Sequence, residues 1–223
     1  MARMATQPGS LRQVRERELV LATRALFDER GMLHAPIDEI AKAVGIARGL
    51  VYRQFSSKEE LFVLTVTDYL DELGDLLAAV SAAEPDPVAR LTATMDAYAG
   101  FCRRYPAFLD SALSLMHRPA MELREMVSES VWLQLGQRIS RCVSHLTEPL
   151  RDGTAAGVME VDDPDYVANV LWTQVLGTMH LARAGVGVRE LAPGVPELFT
   201  VAPERVVRTC VDSALALVGV PRA

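Results

Sequence analysis

The stretch GIARGLVYRQFSSKEEL, residues 45–61, decides how this chain is read. It predicts a tight turn, a short helix with an exposed polar face, and the capped start of another helix. Just upstream, Ile37, Ile40, Ala41 and Val44 recur at i, i+3, i+4 and i+7, the spacing of one buried helical stripe. Gly45 stands where that helix must end in a left-handed residue, and Ile46 turns back toward the core. In the next short helix Val51 and Phe55 share the inner side, which leaves Arg48, Leu50, Tyr52, Arg53 and Gln54 to point elsewhere. Two short helices joined by a glycine turn form a helix-turn-helix, whose second helix is sized for the DNA major groove. The pattern predicts a chain that reads DNA.

The charge balance looks wrong for that task until it is divided. The 223 residues carry a net charge of −6. Residues 1–60 hold ten Arg or Lys against eight Asp or Glu, a balance of +2, whereas residues 61–223 hold thirteen against twenty-one, a balance of −8. Only the first part suits phosphate, so the acidic remainder is expected to form a second functional unit kept off nucleic acid. Half of the residues are hydrophobic, enough for a sizeable core and too many for extensive disorder. The longest uncharged run, Tyr166 to Ala182, has 17 residues. A spanning helix needs about 20 mostly apolar ones, so this run is expected to be a buried helix. Cys102, Cys142 and Cys210 are scattered and odd in number, which disfavours a disulfide framework and predicts buried, reduced thiols. Met1 to Ser10 lacks the apolar segment of a signal peptide, and a cytoplasmic location is expected.

Working outward, residues 1–11 have little pattern and are expected to be a flexible arm. A helix is predicted from about Arg12 to Arg30, with Leu19, Thr23, Leu26 and Phe27 on one side and Gly31 as its stop. Ser56 or Ser57 precedes Lys58, Glu59 and Glu60, an N-cap with acidic first-turn residues that suit the helix dipole. That helix is predicted to run through Leu61, Leu64, Tyr69, Leu73 and Leu77 toward Ser81. The segment AEPDP at 83–87 breaks it. Further helices are predicted near 88–104, 107–117, 120–151, 164–185 and 204–218, with 186–203 as a loop and no strand alternation. The expected fold is all-α with about nine helices: a DNA-binding domain over 12–58 and a second domain over 59–223.

The segments LATRALFDERG at 21–31 and IDEIAKAVGIARGLVYRQFSSKEELF at 37–62 resemble the tetracycline-repressor (TetR) family of bacterial transcription regulators. More loosely, Tyr105-Pro106, GTAAGVMEVDDPD at 153–165 and LWTQVLGTMHLARAG at 171–185 look like that family's ligand-binding and dimerisation domain. The resemblance implies a homodimer that binds a double-stranded DNA operator and a small effector. It implies that Arg48 and Gly49 open the recognition helix, that Tyr52 donates to a phosphate, and that Lys58 meets the DNA backbone beside the amides of its own helix. Arg53 and Gln54 are the expected further contacts, and Leu50 is placed to meet a thymine methyl. The chain departs from the family pattern at Pro36, Ala47 and Gln54, each of which loses a cap or a phosphate contact. Arg3 and Arg12 are a weaker candidate pair for a minor-groove arm.

In the second domain Phe101, Met116, Trp132 and Trp172, with His117 and Gln174 as polar anchors, are the candidate lining of a largely apolar ligand site. Gly177, Val207, Cys210, Val211 and Ala214 are the candidate dimer interface, because the last helix is apolar around too much of its circumference for one-sided packing. Cys142 and His145 are spaced for a metal, but no second pair accompanies them. Nucleophile elbows, phosphate-cradling loops and HExxH are absent from the sequence. The expectation is therefore no enzyme, no cofactor, no metal and no membrane partner. The alternative is an all-helical interaction protein or enzyme that keeps the fold without regulated DNA binding.

Overall fold

Ala41 and Lys42 hand the chain to Gly45 by two backbone bonds, Gly45 N–H to Lys42 O at 3.1 Å and Ile46 N–H to Ala41 O at 2.9 Å. Gly45 sits at φ +71°, where a side chain is strained, so the turn between α2 (Ile37–Ala43) and α3 (Arg48–Gln54) needs its glycine. The computed structural model describes residues 8–31 and 36–220. Among these, ten helices and one two-stranded hairpin are formed. The chain divides into two compact units: residues 1–69 with 114–136, and residues 70–113 with 137–223.

In the first unit, α1 (Pro8–Arg30) lies beside α2 and α3, and the first part of α4 (Lys58–Ala83) completes the core. Leu19, Leu26, Phe27, Ile37, Ile40, Val51, Phe55, Leu61 and Leu64 are buried. The helix expected from Arg12 begins earlier, at Pro8. A proline in the first turn has no amide to leave unsatisfied, which makes it a starting residue rather than part of an arm. Arg3 lies outside the described residues. The expected division at 58/59 falls within this unit, because α4 belongs to it through Tyr69.

The second unit holds the rest of α4 with α5 (Pro87–Arg104), α6 (Pro106–Met116), most of α8 (Glu129–Ala155), α9 (Pro164–Ala184) and α10 (Pro203–Leu217). The last residues of α6 fall in the first unit. Asp86 and Asp163 cap α5 and α9, accepting from Ala89 N–H at 2.8 Å and Tyr166 N–H at 3.0 Å, each just before a proline. The helix expected over 120–151 is two helices, α7 (Ala120–Met126) and α8, separated where Val127 turns extended (φ −128°, ψ 160°) and buries its side chain.

Residues 186–203, expected to be a loop, contain an antiparallel hairpin of β1 (Val186–Ala192) and β2 (Val195–Thr200). Its turn is Pro193-Gly194, with Gly194 at φ +77°, the proline-then-glycine order of a type II turn. Of the breakers that argued for a loop, Pro193 and Gly194 mark the turn, while Gly187 and Pro196 lie inside strands whose other residues include Val186, Val188, Leu191, Val195 and Leu198. Val186, Val188, Leu191, Val195 and Leu198 are exposed.

Candidate nucleic-acid interface

The site begins with what holds α3 still. Val51 is 2% exposed and Phe55 4%, so the helix is pinned by one side and turns its remaining residues outward. Arg48, Gly49, Tyr52 and Arg53 are exposed, and Leu50 is half-buried. Neither Pro36 nor Ala47 makes a side-chain cap bond, so the amino ends of α2 and α3 are closed only by bonds to the Pro36 and Ala47 carbonyls. Gly49 has open space where a side chain would stand, so close approach by a backbone is free there.

Arg48 lies 3.1 Å from Asp38 and donates to the Tyr52 hydroxyl at 3.4 Å, with its guanidinium 5.6 Å from the Tyr52 ring centre. The Tyr52 hydroxyl and then the Asp38 charge both favour the charged guanidinium. Arg48 and Tyr52 thus present one cation and one hydroxyl side by side, one turn apart on the helix. Gln54 is engaged otherwise: its Nε2 donates to the Arg12 carbonyl at 3.2 Å and to Glu16 at 3.4 Å, tying α3 to α1.

At the start of α4 the structure selects Ser57 as the cap, since its Oγ accepts from Glu60 N–H at 3.0 Å. Lys58 follows it and is exposed. Further along α4, Asp68 accepts from Arg24 of α1 at 2.8 Å and pairs with Arg17. The Tyr69 hydroxyl donates to Asp28 at 2.6 Å. This part-buried polar cluster fixes α1 on α4. The sequence reading missed it because its members lie more than forty residues apart.

The candidate ligand residues are not gathered into one described cavity. Met116, His117 and Trp132 belong to the first unit, and Phe101, Trp172 and Gln174 to the second. Phe101 packs on Tyr105 and edge-on against Phe108, and Trp172 stacks on Tyr98 with ring centres 4.4 Å apart. Those two aromatics are core. Met116 and His117 are exposed. The second unit does carry a cavity of about 200 Å³, lined by Cys102, Leu109, Met179 and Pro203 with Arg103 and Arg183 at its edge.

The dimer candidates also separate. Cys210 and Ala214 are wholly buried within the protomer and cannot face a partner. Val207 and Val211 are half-buried, and Gly177 is exposed with open space above it. Cys142 donates its thiol to the Leu70 carbonyl at 3.4 Å. No group of three or more metal-ligating side chains occurs among the described residues.

With this geometry in place, the likenesses are specific. Residues 19–64, which span the end of α1 through the start of α4, match the family model described as bacterial regulatory proteins, tetR family. The chain carries the DNA-binding segment of the TetR family over these residues. It is a transcriptional regulator, and the helix-turn-helix at Ile37–Gln54 is its DNA-binding element. It is 28% identical over 169 residues to the HTH-type transcriptional regulator BetI of Yersinia pestis (strain Pestoides F), covering 72% of this chain and 82% of that one. Among solved structures it has the fold of RolR in complex with resorcinol (TM-score 0.65, 17% identity, covering 95% and 91% of the two chains). It likewise matches FadR from Bacillus subtilis in complex with stearoyl-CoA (TM-score 0.62, 11% identity, covering 90% and 97%). None of the helices among the described residues is long and apolar enough to cross a membrane.

Proposed function

We propose that this regulator is a homodimeric repressor whose two α3 helices read a pseudo-palindromic operator and which a small, largely apolar ligand releases. The observation that carries the DNA half of the reading is the outward row on α3. Arg48, Gly49, Tyr52 and Arg53 are exposed on a helix that Val51 and Phe55 anchor from behind. In a two-fold dimer the two helices fit successive major grooves when set about 34 Å apart. A ligand that prefers another spacing lowers operator affinity by its differential binding to the two states.

The ligand half rests on the cavity at α5, α6, α9 and α10. At about 200 Å³ it suits a single-ring compound better than a fatty acyl chain, and two regulators of this fold hold an aromatic diol and an acyl-CoA. Arg103 and Arg183, which line it and pair with Glu204 and Asp110, can turn a donor to a hydroxyl or carboxylate on an apolar body. For the dimer, the outward side of α9 and the flank of α10 remain available: Gly177, Leu181, Val207 and Val211 are exposed or half-buried.

The test is fluorescence anisotropy on the DNA upstream of its own gene across a salt series. Tyr52→Phe removes only a hydroxyl and should weaken binding at every sequence while leaving the melting temperature unchanged. Arg48→Ala should cost about 1–3 kcal/mol per half-site if it makes a bidentate base contact. Parental binding by both variants would take α3 out of the interface.

A further inference from the structure

Beside the reading face, one acid has an unusual set of partners. Glu60 lies in the first turn of α4, two residues after Lys58, and is 7% exposed. Its Oε2 accepts from both the amide and the hydroxyl of Ser56. Its Oε1 accepts from the hydroxyl of Ser128, at the corner between α7 and α8. Ser57 also acts in two directions, since its Oγ accepts from Glu60 N–H at 3.0 Å and donates to the Met126 carbonyl at 2.7 Å.

Ser57 and Glu60 stand at the positions of a Ser-x-x-Glu capping box, which ordinarily closes on its own helix end, but here the glutamate accepts from the amide of Ser56 and not of Ser57. Capping alone is served by an exposed glutamate. Burying a carboxylate is costly unless its oxygens are fully hydrogen-bonded, and here a distant hydroxyl helps to meet that requirement. Burial works against the charge, but the bonds from Ser128 and Ser56 outweigh it and hold Glu60 below the usual carboxylate range. The consequence is geometric: the first turn of α4 is fixed to a second segment and not merely capped. Both α4 and α8 continue into the second unit, as residues 70–83 and 137–155, so the corner joins the amino ends of two helices that cross between units.

We propose that Glu60 is a positioning residue: with Ser57 and Ser128 it locks the amino end of α4 to the α7–α8 corner and thereby sets where Lys58 meets the DNA backbone. This rests on the reading of Lys58 as a phosphate contact. It adds a control point outside the recognition helix, on α4, which continues into the second unit.

The experiment uses the full chain and operator DNA. Ser128→Ala removes one donor and no core volume. It should weaken operator binding about tenfold, the size of one hydrogen bond to a charged group. The slope of log affinity against log salt should fall by about one per half-site, as it does for Lys58→Ala. The double variant should bind no worse than Lys58→Ala alone, because both changes remove the same contact. Ser128→Thr keeps the hydroxyl and should restore parental binding. Thermal melts run alongside, and if Ser128→Ala does not fold, Glu60→Gln, which keeps the shape and loses the charge, is read by the same slope. Parental affinity in a folded variant overturns the proposal, and so does a loss that adds in full to that of Lys58→Ala. Parental binding by Lys58→Ala is a separate failure: it removes Lys58 from the interface without any serine variant, and the positioning role falls with it.

Discussion

Asp68 shows how much of this fold rests on a single carboxylate. Its side chain is 4% exposed and is held by Arg24, itself 14% exposed, at 2.8 Å, with Arg17 on the other oxygen. Arg24 also lies 4.2 Å from the centre of the Tyr69 ring. Burial, then the neighbouring Asp28, push the Tyr69 phenol well up, so it stays protonated and donates. Asp68→Ala leaves a mostly buried guanidinium short of its nearest carboxylate. Breaking such a pair costs about 3 kcal/mol, which urea denaturation should read as a lower midpoint at unchanged slope. A cost under about 1 kcal/mol would mean that the pair behaves as a solvated surface bridge. Nothing in the sequence marks Asp68 among the other acids, because its partners are 44 and 51 residues away and no helical period connects them. Arg48 and Tyr52 were legible for the opposite reason: they sit one turn apart, and the apolar residues around them already account for the inner face.

Among the helices, legibility followed the caps. The AEPDP break and the glycine stops at 31 and 45 are legible in the sequence and stand at helix ends, and the structure adds Asp86 and Asp163 as the caps of α5 and α9 and Gly185 as the stop of α9. The α7–α8 corner was not, because Val127 and Ser128 carry no breaker and the turn is made by burying Val127 and engaging Ser128. The hairpin reads as a loop when its glycines and prolines are all weighed as breakers, whereas Pro193 and Gly194 make the turn and Gly187 and Pro196 stand within the paired strands. The breadth of the apolar stripe on α10 was read as a shared interface, yet Cys210 and Ala214 are fully covered by the protomer itself. What remains outward on α9 is a row built around Gly177. A side chain there meets nothing within 4 Å in the protomer, and replacing mid-helix glycine removes a penalty of about 1 kcal/mol. Gly177→Leu should therefore fold as well as the parent and lose the dimer, read as a halved mass in light scattering. An unchanged mass would move the interface elsewhere.

For the molecule as a whole, the three thiols set a limit on the alkaline side. Cys102, Cys142 and Cys210 are all free and buried. Burial pushes Cys210 up to about 11 and Cys142 to about 12, and Cys102 rises for the same reason. Their folded values lie above the unfolded one, so the stabilisation is complete below about pH 8.5 and is lost as the pH climbs toward the folded values. Each thiol costs about 1.4 kcal/mol per pH unit across that interval. Melts between pH 8 and 10.5 should fall steeply, and replacing all three cysteines by alanine should flatten the fall; an equal slope in both proteins would assign it to other groups. The hairpin bears on the whole molecule differently. Val201 N–H donates to the Gly185 carbonyl at 3.0 Å, so the chain leaves α9 and returns toward α10 through a neck one hydrogen bond wide. That makes the Pro193-Gly194 tip a splice point, where a reporter domain with adjacent termini can be grafted while α9 and α10 stay joined as they are.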